Sequence, residues 1–340
     1  MARVLVLGYS GGLDGSACLV ADGRVLSWSG SRRGAPGSAA VAACLDAAGV
    51  GWREVGMVVD CAVEPYPLRP WDPLSAVPRG VPRVTVSRHD ALARAAAASF
   101  PFRDAAVAVV SCPGTARYAR EAGVWYESDS LYDLADGHLS LRLRHSAPAA
   151  RPALSTVLDF RRHVCRYVFG PAADGLAPAG GLAVLASSGR PGRWDDAVAL
   201  RREGGRIGVE ASALGHLDPA RARSALPAPT AADLAFHADV ARWAQTQIET
   251  AVLGQLADWA GELPRARLLC TGGLAGDAAL DRRIGAEAPF AHVRLHAPAD
   301  ERSAALGCGA HGLALLTGRA VLPSVAGPRD RLQRSDPEQD

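Results

Sequence analysis

Hydrophobic and polar positions follow one another along this chain in two similar series. The first opens with the apolar run RVLVLGYS (3–10) and continues with SACLVADGRVLSWS (16–29), a hairpin turning at Asp22-Gly23. Helical spacing of apolar positions predicts helices over 36–49 and 89–99, while VGMVVDCAV (55–63) and RVTVS (83–87) read as strands. A proline-rich loop runs from Pro65 to Pro82. The second series opens with the strand DAAVAVVSC (104–112), followed by strand candidates at 122–127 and 138–144 and a loose Ala/Pro/Gly region to about residue 180. Residues 230–261 carry the longest helical pattern. RARLLCTGG (265–273) is a strand ending in glycines, and a helix (275–286), a strand (292–295) and a helix (302–317) follow.

Two series that each send an apolar strand into a glycine turn predict an α/β protein of two similar lobes with a cleft between them. The expected division is 1–103, 104–320 and a charged, flexible tail at 321–340. Glycine at a strand end lets backbone approach a ligand closely, and the peptide N–H groups there suit an anion. The 340 residues are 49% hydrophobic and 21% charged, enough apolar material for a sizeable core. A net charge of +2, without a basic block interleaved with aromatics, argues against a nucleic-acid partner. No apolar run reaches the roughly 20 residues of a membrane span. No leader precedes the first strand, and the seven cysteines stand without a CxxC pair, so a cytoplasmic protein with buried thiols is expected.

Several residues invite chemistry. Cys112 ends an apolar strand ahead of Pro113-Gly114-Thr115, where a turn can expose a nucleophilic thiol, yet no oriented histidine partner is recognisable. His292, His296 and Asp300 are spaced by four, but two histidines four apart on a strand stand roughly 13 Å from each other, too far for one ion. The segment WYESDSLYD sets Trp125, Tyr126 and Tyr132 among Glu127, Asp129 and Asp133. It reads equally as a core-covering strand or as a ligand face. His89 stands at a helix start.

Four stretches together resemble the carbamoyltransferases of antibiotic and nodulation-factor biosynthesis. They are VLGYSGGLDGSACLVADGRVLSWSGSRR with AVAACLDAAGV; SRHDALARAAAASFPFRDAAVAVVS; GGLAVLASSG; and LLCTGGLAGDAAL with APADERSAALGCGAHGLAL. The resemblance spans most of residues 3–318 and is weakest between 113 and 175. It implies the two-lobed actin/sugar-kinase/Hsp70-like (Kae1-like) fold with RNase H-like lobes. In that family a YrdC-like domain makes carbamoyl-adenylate from carbamoyl phosphate and ATP, and the Kae1-like domain transfers the carbamoyl group to a hydroxyl with the help of a metal. No counterpart of the YrdC-like domain is recognisable here, so the activation half is expected to be missing.

The resemblance also implies losses in the transfer half. The family's two metal-holding histidines, one helical turn apart, fall on Arg88 and Leu92, with His89 between them. Neither arginine nor leucine offers a lone pair to a cation. The histidine usual in the first glycine turn is Leu13, beside a retained Asp14. The acidic run after the hairpin is Ser29-Gly30-Ser31, with Arg32 kept. An aspartate position falls on Ser111, a lysine position on Gly181, and the late metal aspartate on Glu301, beside Asp300. The scaffold glycines Gly11, Gly12, Gly272, Gly273 and Gly307 remain.

Gly11, Gly12, Asp14, Gly272, Gly273 and Asp277 are thus the candidate ligand-binding residues, and His89, Asp14, Glu301 and Cys112 the candidates for any remaining catalysis. No metal and no cofactor is expected, and ATP should bind weakly at most. Two readings follow. One is a non-catalytic partner of a homologous full-length carbamoyltransferase, or a self-associating chain, docking through the helix near 36–49, whose small residues Ala39, Ala40, Ala42 and Ala43 allow close approach and whose Val41 and Leu45 supply an apolar stripe. The other is a metal-independent carbamoyl or acyl transferase acting on a small-molecule acceptor.

Overall fold

The computed structural model describes residues 4–11, 15–30, 37–62, 74, 77–112, 116–119, 123–148, 156–171, 180–192, 194, 196–226, 228–296 and 300–318. The chain forms two compact units. One comprises Met1–Asp104, Leu134–Ser140 and Ala299–Asp340, and the other Ala105–Asp133 and Leu141–Pro298.

The first unit is built on a five-stranded sheet of β1 (Leu5–Gly11), β2 (Ser16–Ala21), β3 (Arg24–Gly30), β4 (Val55–Ala62) and β5 (Arg83–Val86), in the order β3-β2-β1-β4-β5. The first three strands form an antiparallel meander, and β4 and β5 continue parallel to β1. The predicted Asp22-Gly23 turn has positive φ at both residues, 48° and 75°, the geometry whose twist matches a two-residue hairpin. Helix α1 (Gly37–Ala48) buries Val41, Cys44 and Leu45 against Leu5, Leu7 and Leu19. Helix α2 (Arg88–Ser99) is capped by Ser87, whose side chain accepts the Asp90 N–H at 3.0 Å, and its alanines are buried nearly all round.

The last helix of the described chain, Glu301–Thr317, packs against α2, β1, β2 and β4. It therefore belongs to the first unit, whereas a boundary at 104 grouped it with the second. The fit depends on glycine. A Cβ at Gly307 would overlap the Ala91 carbonyl oxygen on α2, and one at Gly8 of β1 would overlap the Ala305 carbonyl oxygen.

The second unit repeats the plan. Its strands are β6 (Ala105–Val110), β7 (Ala116–Ala119), β8 (Gly123–Ala135), β9 (His138–Pro148), β12 (Arg267–Gly272) and β13 (His292–His296), the β8–β9 tip at Leu134–Ser140 being the part grouped with the first unit. The order is β13-β12-β6-β8-β7, with β9 also paired to β8, and β6, β12 and β13 run parallel. Taking β9-β8-β6-β12-β13 reproduces the order of the first sheet, with β7 as an added arm. The Asp136-Gly137 turn between β8 and β9 again has positive φ at both residues.

Helix α3 (Val157–Phe169) lies in the stretch read as loose, although Val157, Phe160, Val164, Tyr167 and Val168 form a buried face and Thr156 with Asp159 closes a capping box. The short helix α4 (Gly181–Ala186) and the hairpin of β10 (Leu200–Glu203) and β11 (Arg206–Val209) were likewise not predicted. Helix α5 (Ala231–Glu262) starts at a Thr230/Asp233 capping box and sets Trp243 edge-on against Phe160 at 5.6 Å. Helix α6 (Ala278–Glu287) lies between β12 and β13, and the helix at Glu301–Thr317 is α7. Among the described residues no helix is long and apolar enough to cross a membrane.

Candidate functional site

In the first unit, two helix starts and a strand end meet. Ser87 caps α2 and so fixes Arg88 at its first residue. Asp300 caps α7 by accepting the Ser303 N–H at 2.9 Å and so fixes Glu301. Arg88 Nη1 donates to Glu301 Oε2 at 2.8 Å, and the Ser10 hydroxyl of β1 donates to the same oxygen. The arginine side chain is 9% exposed and the glutamate 20%.

Behind this pair the Cys61 thiol reaches Ser10 Oγ at 3.5 Å, and Cys308 is hydrogen-bonded to Cys61. Burial pushes the Cys308 thiol well above its ordinary range, so it is not a thiolate at neutral pH. Asp60, also buried, accepts from Arg83 at 3.3 Å and from Thr85 at 2.9 Å.

The two positions where the resemblance puts metal-holding histidines thus carry an arginine already bonded to the third ligand position and a leucine, Leu92, that is fully buried in the core. A metal does not fit these residues. A guanidinium supplies the positive charge beside Glu301, and a second cation there would meet it at short range with no nitrogen ligand in compensation. Purified protein is therefore expected to hold iron or zinc well below one equivalent after dialysis. Elemental analysis finding about one tightly held ion per chain would contradict that expectation.

His89 is fully buried within α2, and Gly11 is the buried last residue of β1. Gly12, Leu13, Asp14 and Arg32 lie outside the described residues.

The second-unit candidates gather at the ends of β6 and β12. Gly272, with φ +145°, and Gly273 lie so close to β6 that a Cβ on either would overlap the carbonyl oxygen of Val110 or Ser111. Close strand packing therefore accounts for both glycines. Asp277 is buried and fully engaged. It caps α6 through the N–H groups of Ala279 and Leu280, at 3.1 and 3.2 Å, and accepts from Gln245 at 3.2 Å. Cys112 is buried, with its N–H on the Ser128 carbonyl at 3.0 Å. His292 and His296 stand at opposite ends of β13, beside Arg267 and Thr271 respectively.

A small recess lies beside α6, lined by Val110, Val252, Leu274, Asp281, Ile284 and Leu295 among others. Burial and the neighbouring Asp277 raise the Asp281 carboxyl. The WYESDSLYD segment is the body of β8, and it turns Glu127, Asp129 and Asp133 into the interior. Sequence reasoning named Arg88 and Glu301 separately as replaced positions, yet missed that they replace one another's partner. Their opposite charges were the available signal. Ser10 carried none.

No known protein family and no curated protein matches the sequence. Solved structures do. Full-length HypF in its phosphate- and nucleotide-bound form is 11% identical, with a TM-score of 0.53 over 94% of this chain and 56% of HypF. HypF from T. kodakarensis is 13% identical, with a TM-score of 0.51 over 95% of this chain and 50% of that one. The activator of the 2-hydroxyisocaproyl-CoA dehydratase from Clostridium difficile, with bound ADPNP, is 11% identical, with a TM-score of 0.50 over 90% and 93%. The fold is the actin/sugar-kinase/Hsp70-like α/β fold, and the chain spans about half the length of the HypF proteins it matches.

Proposed function

We propose that this chain is a degenerate carbamoyltransferase-like protein of natural-product biosynthesis that acts as the non-catalytic partner of a complete carbamoyltransferase. The observation that carries the reading is the Arg88–Glu301 ion pair. Transfer of a carbamoyl group to a hydroxyl needs a group that polarises the carbonyl and another that takes the proton. At the position where the family would hold a metal for the first task, this chain has tied Glu301 to an arginine and to Ser10. Of the groups that a metal-independent transferase would use instead, His89 and Cys112 are both buried, Glu301 is held by the ion pair, and Asp14 lies outside the described residues.

A protein that keeps its scaffold without its chemistry has a use for its surface. Helix α1 remains the docking candidate, with one correction. Val41 and Leu45, expected as the stripe offered to a partner, belong to the core of their own unit together with Ala40. The outward face consists of Ala39, Ala42, Ala43 and Ala47 with Ser38 and Asp46, small enough for a partner helix to approach closely. A stable interface of this kind buries about 1,200–2,000 Å² in total.

The test is co-purification with a full-length homologue, followed by activity assays of each protein alone and of both together. The pair should co-purify, and activity should require the homologue and rise in the presence of this chain. Ala43→Arg should abolish co-purification while the chain stays folded. Turnover by this chain alone, or undiminished binding by the variant, would show the partner reading or its docking face to be wrong.

A further inference from the structure

Strand β8 presents three acids to the interior, and two of them are matched by arginine. Glu127 pairs with Arg144 at 3.1 Å, and Asp133 pairs with Arg142 at 2.8 Å and with Arg265 at 2.7 Å. Asp129 stands between them, 4% exposed, and no arginine or lysine among the described residues reaches it. Its carboxyl accepts the backbone N–H of Ser111 at 2.8 Å. Asp129 acts on His145, but burial, helped by Arg206, outweighs the pull of its charge and holds that imidazole below its ordinary range. A buried carboxyl with a single hydrogen-bond donor among the described residues is costly to keep, and such groups mark places where something else completes the set.

The donor to Asp129 is itself unusual. Ser111 is a non-glycine residue at φ +49°, 1% exposed, and its hydroxyl has no partner among the described residues. Oγ is joined to its own backbone nitrogen through Cβ and Cα, which keeps it within about 4 Å of the N–H that Asp129 accepts. Hydroxyl and carboxyl are therefore neighbours that do not bond each other. They lie at the carboxyl end of β6 against β12, where open parallel sheets bind their ligands. Left-handed backbone at a non-glycine residue costs on its own account, and an observed outlier of that kind points toward a use.

We propose that Ser111 and Asp129 form a binding site for the primary ammonium group of a small organic amine. An ammonium brings the positive charge that no described arginine supplies to Asp129, and three donors, enough to serve the carboxyl and Ser111 Oγ together. A neutral hydroxyl or a water would leave the charge uncompensated. A divalent metal asks for about six oxygen ligands, usually with more than one carboxylate, and one carboxylate with one hydroxyl falls short. An anion would be repelled. This site is independent of the partner reading above and stands or falls without it.

The test uses the full chain, with ethanolamine as probe, tetramethylammonium as a cation of the same charge without N–H donors, and magnesium chloride at matched ionic strength. Thermal unfolding of wild type should move up with millimolar ethanolamine and stay put with the other two. Asp129→Asn, whose amide oxygen can still accept the Ser111 N–H, should unfold at a higher temperature than wild type without ligand and lose at least tenfold in ethanolamine affinity. Ser111→Ala should keep wild-type stability and bind the probe more weakly. The proposal is wrong if Asp129→Asn is less stable or does not fold, since the carboxyl then belongs to the scaffold. It is equally wrong if ethanolamine shifts nothing, shifts no more than tetramethylammonium, or is outdone by magnesium.

Discussion

Gly307→Ala is expected to cost on the order of 4 kcal/mol or more, enough to leave little folded protein at 37 °C. The added methyl would overlap a backbone carbonyl oxygen, that of Ala91, and crowd the carbonyl carbon behind it. A long side chain could swing aside, but a carbonyl inside α2 cannot turn without breaking the helix. Relief therefore requires the whole of α7 to retreat from α2, which would open the interface built from Ala91, Leu92, Ala95, Ala304 and Cys308, all fully buried. Native stabilities are typically about 5–15 kcal/mol, so one methyl here takes a large share. Gly285→Ala makes the comparison, because a Cβ at that helical position meets nothing within 4 Å. It should be neutral or stabilising by up to about 1 kcal/mol. Urea midpoints of the two variants decide the matter, and equal midpoints would mean that α7 does not lie as close to α2 as described.

Arg88→Met is expected to destabilise by about 2–3 kcal/mol. A buried ion pair that loses one partner strands the other charge, at a typical cost of about 3–5 kcal/mol, reduced here because Glu301 keeps a fifth of its side chain exposed. The loss should have the signature of a pair. Glu301→Met should also destabilise, and the double variant should recover most of the stability, giving a coupling of about 1–3 kcal/mol in a double-mutant cycle. Additive losses would mean that the two residues stabilise the helix starts independently, and the reading of the arginine as a resident cation would fail with them.

Much of the fold was legible because its local rules agree with its global ones. The Asp22-Gly23 turn announced its hairpin, and both apolar runs that open the two series became central strands, β1 and β6. What escaped was either local but disguised or not local at all. In α3, Arg161, Arg162, His163 and Arg166 dilute an apolar face whose spacing was present, and β10 (LRRE) and β11 (RIGV) are four-residue strands around Gly204-Gly205, the first mostly charged. The attachment of α7 to the first unit cannot be read from its sequence, since its small residues suit any close neighbour. Val41 and Leu45 on α1 were read as offered outward because a helical pattern shows that a face is apolar without showing which surface it meets. The candidate site was half legible in the same sense. Substitution at 88 and at 301 was evident, but the contact between residues 213 apart belongs to the fold.

The place of α7 sets a timetable for the making of this protein. The first sheet leaves the ribosome by about residue 104, yet the helix that covers β1, β2 and β4 begins at Glu301. At roughly 5–20 residues per second, the roughly 200 intervening residues take about 10–40 s to appear. Throughout that interval the apolar face that α7 will occupy has no cover from its own chain, and the second unit, contiguous apart from one short excursion, has time to fold first. The nascent protein therefore carries an exposed aggregation-prone sheet late into synthesis, and its yield in a cell should follow chaperone supply and translation rate more closely than its final stability does.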